Sequence, residues 1–274
     1  MNATTDYLFF GGTKPRIIGH RGAAGDAPEN TLVSFQKAFD DGAGYVELDV
    51  HGTKEGGVVI IHDASVDRTT EGQGWVSGKT FAELKALDAG YRFTRDGGKS
   101  FPYRGQGIQI PTLEELFDAF ADLKLIIEIK STDTAIAEKV IDTIVGTGKE
   151  NRVLLATEHD QVMNEARRII RDKRAQIATG FSYGEVAMFI RQLQADCIGD
   201  FAVCGQAFQL PLEYAGTPLV NAASVKAAHQ LGLEMFVWTI NDVNEMKRLL
   251  ALGVDGVITD YPARMRRLLS NAPA

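Results

Sequence analysis

Along most of this 274-residue chain, short aliphatic runs alternate with stretches whose apolar residues return every three or four positions. The first pattern is that of a strand, the second that of an amphipathic helix. Strands are predicted at 16–20, 44–50, 124–130, 152–157, 176–181, within 197–210, at 234–240 and at 256–260. Leu32, Phe35 and Phe39 fall on one face of the first helix, which Asn30 or Thr31 is placed to cap. Val243, Met246, Leu249 and Leu250 form a similar face near the end. Eight strand–helix units predict an α/β fold, a closed parallel (β/α)8 TIM barrel. A doubly wound sheet competes less well, because no G-x-G-x-x-G follows the first strand.

One extended run breaks the rhythm. Val58 to Asp63, VVIIHD, follows the second strand after only Gly52–Gly57, too short for a parallel crossover. It must therefore turn back as a hairpin centred near Glu55–Gly56, setting His62 roughly across from Asp49. Residues 64–111 also leave the strand–helix pattern. They are rich in glycine, carry aromatic residues such as Trp75, Tyr91, Phe93, Phe101 and Tyr103, and hold one helix candidate at 80–87. A structureless loop of that length is uncommon, so the segment reads as an insertion beside the barrel mouth within a single domain of residues 1–274.

The predicted strands end in titratable residues. Glu47 and Asp49 are two apart and leave their strand on one face, with Val46, Leu48 and Val50 on the other. Glu128 and Lys130 repeat the arrangement against Ile127 and Ile129. Buried charges need a compensating partner: a metal, an anion or one another. Three carboxylates, Glu47, Asp49 and Glu128, suit a hard divalent ion, Mg2+ or Ca2+, better than zinc. The competing reading is a metal-free network of ion pairs and hydrogen bonds, in which Lys130 bridges Glu128. His20 ends the first strand, and His62 returns to the same rim. One such ring can take a proton while the other gives one, which fits displacement at phosphorus. Arg21 and Lys130 supply positive charge for a phosphodiester. Glu29 and Asn30 open the first helix and are also site candidates, although an acid there has a role against the helix dipole as well. His51 lies in the hairpin arm and is not expected to be catalytic; His159 and His229 read as surface or packing residues on helices.

Composition narrows the partners. A net charge of −7, with no basic run, argues against nucleic acid. No stretch approaches the length of a membrane span, and the first residues lack the basic and apolar pattern of a signal peptide. Neither they nor the insertion resembles a basic amphipathic helix, so stable membrane association is not expected and the chain reads as cytoplasmic. Cys197 and Cys204 alone do not make a disulfide framework or a zinc site, and read as reduced. Oligomeric state has no signature in the sequence.

Taken in order, His20-Arg21-Gly22, Pro28-Glu29-Asn30-Thr31, Glu47-Leu48-Asp49, His62-Asp63, Arg68-Thr69-Thr70, Ile110-Pro111-Thr112-Leu113-Glu114, Glu128-Ile129-Lys130, Trp238-Thr239-Ile240-Asn241 and Thr259-Asp260-Tyr261-Pro262 resemble the glycerophosphodiester phosphodiesterase family. The likeness extends over residues 16–268. It implies the barrel with its insertion after the second strand, and hydrolysis of small-molecule glycerophosphodiesters to glycerol 3-phosphate and an alcohol. It also implies His20 and His62 as acid and base, and Glu47, Asp49 and Glu128 as metal ligands. Arg21 and Lys130 become phosphate contacts, and Trp238 a wall for the glycerol or its substituent. Three other functions compete: a lysophospholipase D using the same site, a barrel that binds phosphopolyols without turnover, and an enolising lyase with Lys130 as base. The last two leave the histidine pair without a task.

Overall fold

The structure, a computed structural model, describes residues 7–270; the start of the N-terminal stretch considered above lies outside the described residues. The strands are β1 (Arg16–His20), β2 (Tyr45–Gly52), β3 (Val58–Ile60), β4 (Lys124–Ile129), β5 (Val153–Ala156), β6 (Ala178–Thr179), β7 (Ala207–Pro211), β8 (Glu213–Tyr214), β9 (Thr217–Pro218), β10 (Glu234–Trp238) and β11 (Gly256–Thr259). The α-helices are α1 (Leu32–Asp40), α2 (Phe81–Lys85), α3 (Leu113–Ala119), α4 (Ala135–Gly146), α5 (Asp160–Lys173), α6 (Tyr183–Gln194), α7 (Ala222–Gln230), α8 (Val243–Leu252) and α9 (Pro262–Ser270). Parallel pairing runs β6-β5-β4-β2-β1-β11-β10-β7. The Gln206 N–H donates to the Thr179 carbonyl at 2.8 Å and joins the two ends of that order. The predicted TIM barrel is therefore present, with helices around it.

Period-two alternation divides each strand. Outward residues such as Val46, Leu48, Ile127 and Val237 join the large core against the helices. Inward residues form a second cluster, including Ile18, Ile126, Leu154, Phe236 and Ile258. Phe9 and Phe10 belong to this inner cluster and stack edge-to-face with ring centroids 4.9 Å apart. Each large buried side chain of this kind contributes about 1.5–3 kcal/mol.

The hairpin forms as β2 paired antiparallel with β3, Val50 opposite Ile60. Its register places Ile61 against Asp49, the Ile61 N–H donating to the Asp49 carbonyl at 2.9 Å. His62 thus lies one residue beyond the expected position. Residues 64–111 have an apolar cluster of their own, in which Val59 and Ile61 meet Val66, Val76, Leu84, Ala89, Ile108 and Ile110. That cluster replaces the apolar run a long loop would lack. Thr80 caps α2 with a reciprocal Glu83 contact, inside the predicted helix.

Some sequence expectations need adjustment. Thr31 caps α1 by accepting from the Ser34 N–H, whereas Glu29 and Asn30 precede the helix in a turn. Phe39 and Val243 face solvent; α1 buries Ser34, Phe35 and Ala38 instead, and α8 buries Met246 and Leu249. The fifth predicted strand shortens to two residues, because Gly180 and Gly205 approach each other where the barrel closes. A Cβ on Gly205 would lie 2.5 Å from the Gly180 carbonyl oxygen. Cys197 and Cys204 are both free.

Candidate active site

The C-terminal ends of β1, β2 and β4 put their inward side chains on one side of the barrel mouth. Parallel pairing sets His20 beside Glu47 and Asp49 beside Glu128. Oxygens of Glu47, Asp49 and Glu128 lie within 4.8 Å of one another. Burial and the charge of Asp49 push the Glu47 carboxyl well above the carboxylate range. Burial also raises Glu128, even with the Lys130 ammonium 2.8 Å away. Lys130 reaches Asp49 as well, at 3.2 Å. This is the ion pair the competing reading anticipated, and with Arg21 it sets two cations against three carboxyl groups. A cluster of hard oxygen donors of this kind fits a divalent cation such as Mg2+ or Ca2+.

Local backbone geometry aims the next residues. Arg21 and Gly22 are both left-handed (φ 48° and 88°), so the chain turns sharply after β1. The turn lets the Arg21 N–H donate to Glu47 Oε2 at 3.1 Å. Its guanidinium lies 3.3 Å from Asp49 and donates to Glu29 Oε1 at 2.8 Å. The atom that faces Asp49 is Nε, which is buried in this ion pair without hydrogen-bond geometry. A side chain on Gly22 would strike Ser34, which explains glycine there. Asn30, also left-handed, is buried and donates from Nδ2 to Asp49 at 2.8 Å.

Both candidate histidines are held through Nδ1 by a carboxylate, leaving Nε2 as the other ring nitrogen. His20 Nδ1 is 2.7 Å from Asp260, whose second oxygen accepts from Asn241 Nδ2 at 2.6 Å. Burial opposes charge on His20, but the Asp260 hydrogen bond and the Glu47 charge overcome it and leave the imidazole above its usual range. His62 Nδ1 is 2.6 Å from Asp63. Asp63 in turn is gripped by Arg68, which also forks onto both oxygens of Glu29. Arg68 hydrogen bonds first of all, against partial burial, hold Asp63 down to about 2.

Every sequence-predicted residue except Trp238 thus belongs to one connected network. Trp238 ends β10, across the mouth, and is 42% exposed. Glu29 and Asn30 spend their polar atoms on Arg21, Arg68 and Asp49. Sequence reasoning gave no role to Asp260, Asn241, Asp63 or Arg68. For Asp260 a signal existed, since it directly follows the C-terminal end of β11. His51 bonds the His62 carbonyl through Nε2 at 2.9 Å and stays in the hairpin arm. His159 precedes α5 and lies 3.3 Å from the Lys130 carbonyl, nearer the site than its helical setting suggested. His229 sits on α7 and bonds Asp255.

Comparison with known proteins gives consistent matches. The sequence profile of the glycerophosphoryl diester phosphodiesterase family matches residues 20–264. A glycerophosphodiester phosphodiesterase of Caldanaerobacter subterraneus subsp. tengcongensis is 33% identical, over 93% of this chain and 98% of its own. A lysophospholipase D of Mus musculus is 26% identical, over 94% and 87%. Among solved structures, an Oleispira antarctica phosphodiesterase in complex with the product sn-glycerol-3-phosphate has a TM-score of 0.74. It is 26% identical, with 94% of this chain and 97% of that one covered.

Proposed function

The chain belongs to the glycerophosphoryl diester phosphodiesterase family, a family of hydrolases, and we propose that it cleaves small glycerophosphodiesters to glycerol 3-phosphate and an alcohol. The observation that carries this reading is the shared rim. Two histidines, each held by a carboxylate, stand with an acidic trio and the cations Arg21 and Lys130. Glu47, Asp49 and Glu128 would hold a divalent cation. Bound there, such an ion supplies positive charge against the phosphoryl oxygens as negative charge grows on them.

The remaining work falls to side chains. Arg21 and Lys130 grip the phosphodiester anion. One imidazole takes the proton of the attacking hydroxyl, from water or from the substrate's own 2-hydroxyl; in the second case a cyclic phosphate forms, and water then opens it to glycerol 3-phosphate. The other donates a proton to the departing alkoxide as its bond to phosphorus breaks. Asp260 and Asp63 orient the rings, and Glu29 and Asn30 hold Arg21 and Asp49 in place. Trp238 offers a flat wall to the glycerol or its substituent. We read the chain as one barrel domain with residues 64–111 inserted between β3 and α3. Among the described residues no helix is long and apolar enough to cross a membrane.

The test is turnover after exhaustive dialysis against EDTA, then with Mg2+ or Ca2+ restored. Substrates are glycerophosphocholine, glycerophosphoethanolamine and lysophosphatidylcholine. Glycerol 3-phosphate should appear only with the ion, and kcat/KM should be much higher for the soluble diesters. Full activity in EDTA would remove the metal from the mechanism. A preference for the lysolipid, as the mouse relative's name suggests, would change the substrate and leave the histidine roles standing.

A further inference from the structure

The ionisable side chains crowd one half of the barrel mouth, at the ends of β11, β1, β2 and β4. The other half, at the ends of β6, β7 and β10, is aromatic and open. Tyr183 begins α6 just after β6, and Tyr214 lies on the small hairpin that follows β7. Their rings meet edge-to-face with centroids 5.4 Å apart, and both residues are more than half exposed. This ledge adjoins the ionic half. The Tyr183 N–H donates to the Glu158 carbonyl at 3.0 Å, and the next residue, His159, touches the Lys130 carbonyl. The Glu158 side chain is 70% exposed, its only ion-pair partner among the described residues is His159 at 3.8 Å, and its charge is felt at Glu128.

We propose that Tyr183 and Tyr214, with Glu158 beside them, form the subsite for the alcohol end of the diester and select a cationic amino alcohol. The proposal rests on the phosphodiesterase reading of the neighbouring site. Aromatic faces carry partial negative charge and attract ammonium groups, most strongly where water is thinned by neighbouring protein. The exposed Glu158 carboxylate adds to that field. A neutral polyol carries no charge for either feature to attract. An acyl chain would want an unbroken apolar groove, yet the ledge is bordered by Glu158 and by Asp160, which accepts from the Gly184 N–H at 2.9 Å. The strand register that pairs Trp238 with Pro211 places the tryptophan at the ledge's far end.

The test compares kcat and KM for glycerophosphocholine and glycerophosphoglycerol in wild type, Tyr183→Ala, Tyr214→Ala, Tyr214→Phe and Glu158→Gln. Both tyrosines are exposed, so their truncation leaves the core intact. Each alanine should raise KM for glycerophosphocholine roughly two- to thirty-fold, the range of a cation–π contact, with kcat retained. KM for glycerophosphoglycerol should stay within about twofold. Tyr214→Phe keeps the ring face and should behave as wild type, while Glu158→Gln should move in the same direction as the alanines. Equal changes for both diesters, no change for glycerophosphocholine, or a loss confined to lysophosphatidylcholine would each overturn the subsite. Calorimetric titration with choline and its uncharged isostere 3,3-dimethylbutanol needs no turnover. Tighter choline binding that Tyr214→Ala removes supports the subsite, and equal binding of the two ligands overturns it. A wild type that releases no glycerol 3-phosphate from any diester would instead defeat the phosphodiesterase reading, and the titration would still decide the ledge.

Discussion

The barrel interior carries charged clusters at both ends, and they are built to opposite specifications. At the base, Arg16 is fully enclosed. Its guanidinium meets Glu234 at 2.5 Å, the Tyr45 hydroxyl at 2.9 Å and the Phe10 carbonyl. Lys14 bridges Glu234 and Asp255, and Asp255 also accepts from His229 and the Met235 N–H. Two cations there face two carboxylates; aromatic rings enclose Arg16, while Lys14 covers the group from the solvent side and stays half exposed. At the mouth, Glu47, Asp49, Glu128, Asp63, Glu29 and Asp260 outnumber Arg21, Lys130 and Arg68. The base is an ion network with its charges closed on themselves. The mouth holds more carboxyl groups than cations and leaves them at the barrel's opening, as expected of a functional site.

That contrast predicts a double dissociation between activity and stability. The largest effect belongs to the mouth. His20→Ala and His62→Ala should each lower kcat roughly 10²–10⁴-fold, the usual range for positioned acid–base groups. Their urea unfolding midpoints should stay near wild type, since neither opens the core. Steady-state rates and denaturation of the same preparations decide it; near-wild-type kcat would erase the distinction between the two ends.

The base should behave in the reverse way. Glu234→Gln leaves the Arg16 charge enclosed without its partner, a change that typically costs about 3–5 kcal/mol. Chemical denaturation should register that loss while kcat under native conditions holds. If kcat fell in step with stability, the two ends would be coupled and the comparison would fail.

A smaller effect tests the strap between them and solvent. Burial acts to raise Glu29, but Arg68 and Arg21 overcome it and hold the carboxyl at about 2, below its ordinary 4.5. Asp63 is lowered likewise. Between those values the unfolded chain binds more protons than the folded one. The stabilisation is therefore whole above about pH 4.5 and fades as pH falls toward about 2. Arg68→Ala should move the acid-unfolding midpoint to higher pH. Circular dichroism along an acid titration measures it; coincident curves would mean the strap adds nothing.

Much of this could be read from residue order alone. Period-two alternation in Glu47-Leu48-Asp49 and Glu128-Ile129-Lys130 placed the acids on one face, and the short Gly52–Gly57 link forced the hairpin that returns His62. What escaped were partners set by tertiary contact. Asp260 meets His20 because β1 and β11 pair, which no local pattern announces. Arg68 looked like a loop cation until Glu29 and Asp63 were seen on either side of it. Phe39 obeyed the helical period yet faces solvent, because α1 is short and buries small residues such as Ser34 and Ala38 against the turn after β1. Tyr183 and Tyr214 had no spacing to connect them at all.

The closed base also has a consequence for how the molecule is made. Arg16 leaves the ribosome early, while Glu234 and Asp255 arrive only after nearly all the other strands have been synthesised. Until then no carboxylate of that pair exists to accompany the arginine into the interior. A growing chain must keep its first strand in water, however well its early helices form. The ion network at the base is thus complete only once the tenth and eleventh strands bring the missing charges to it.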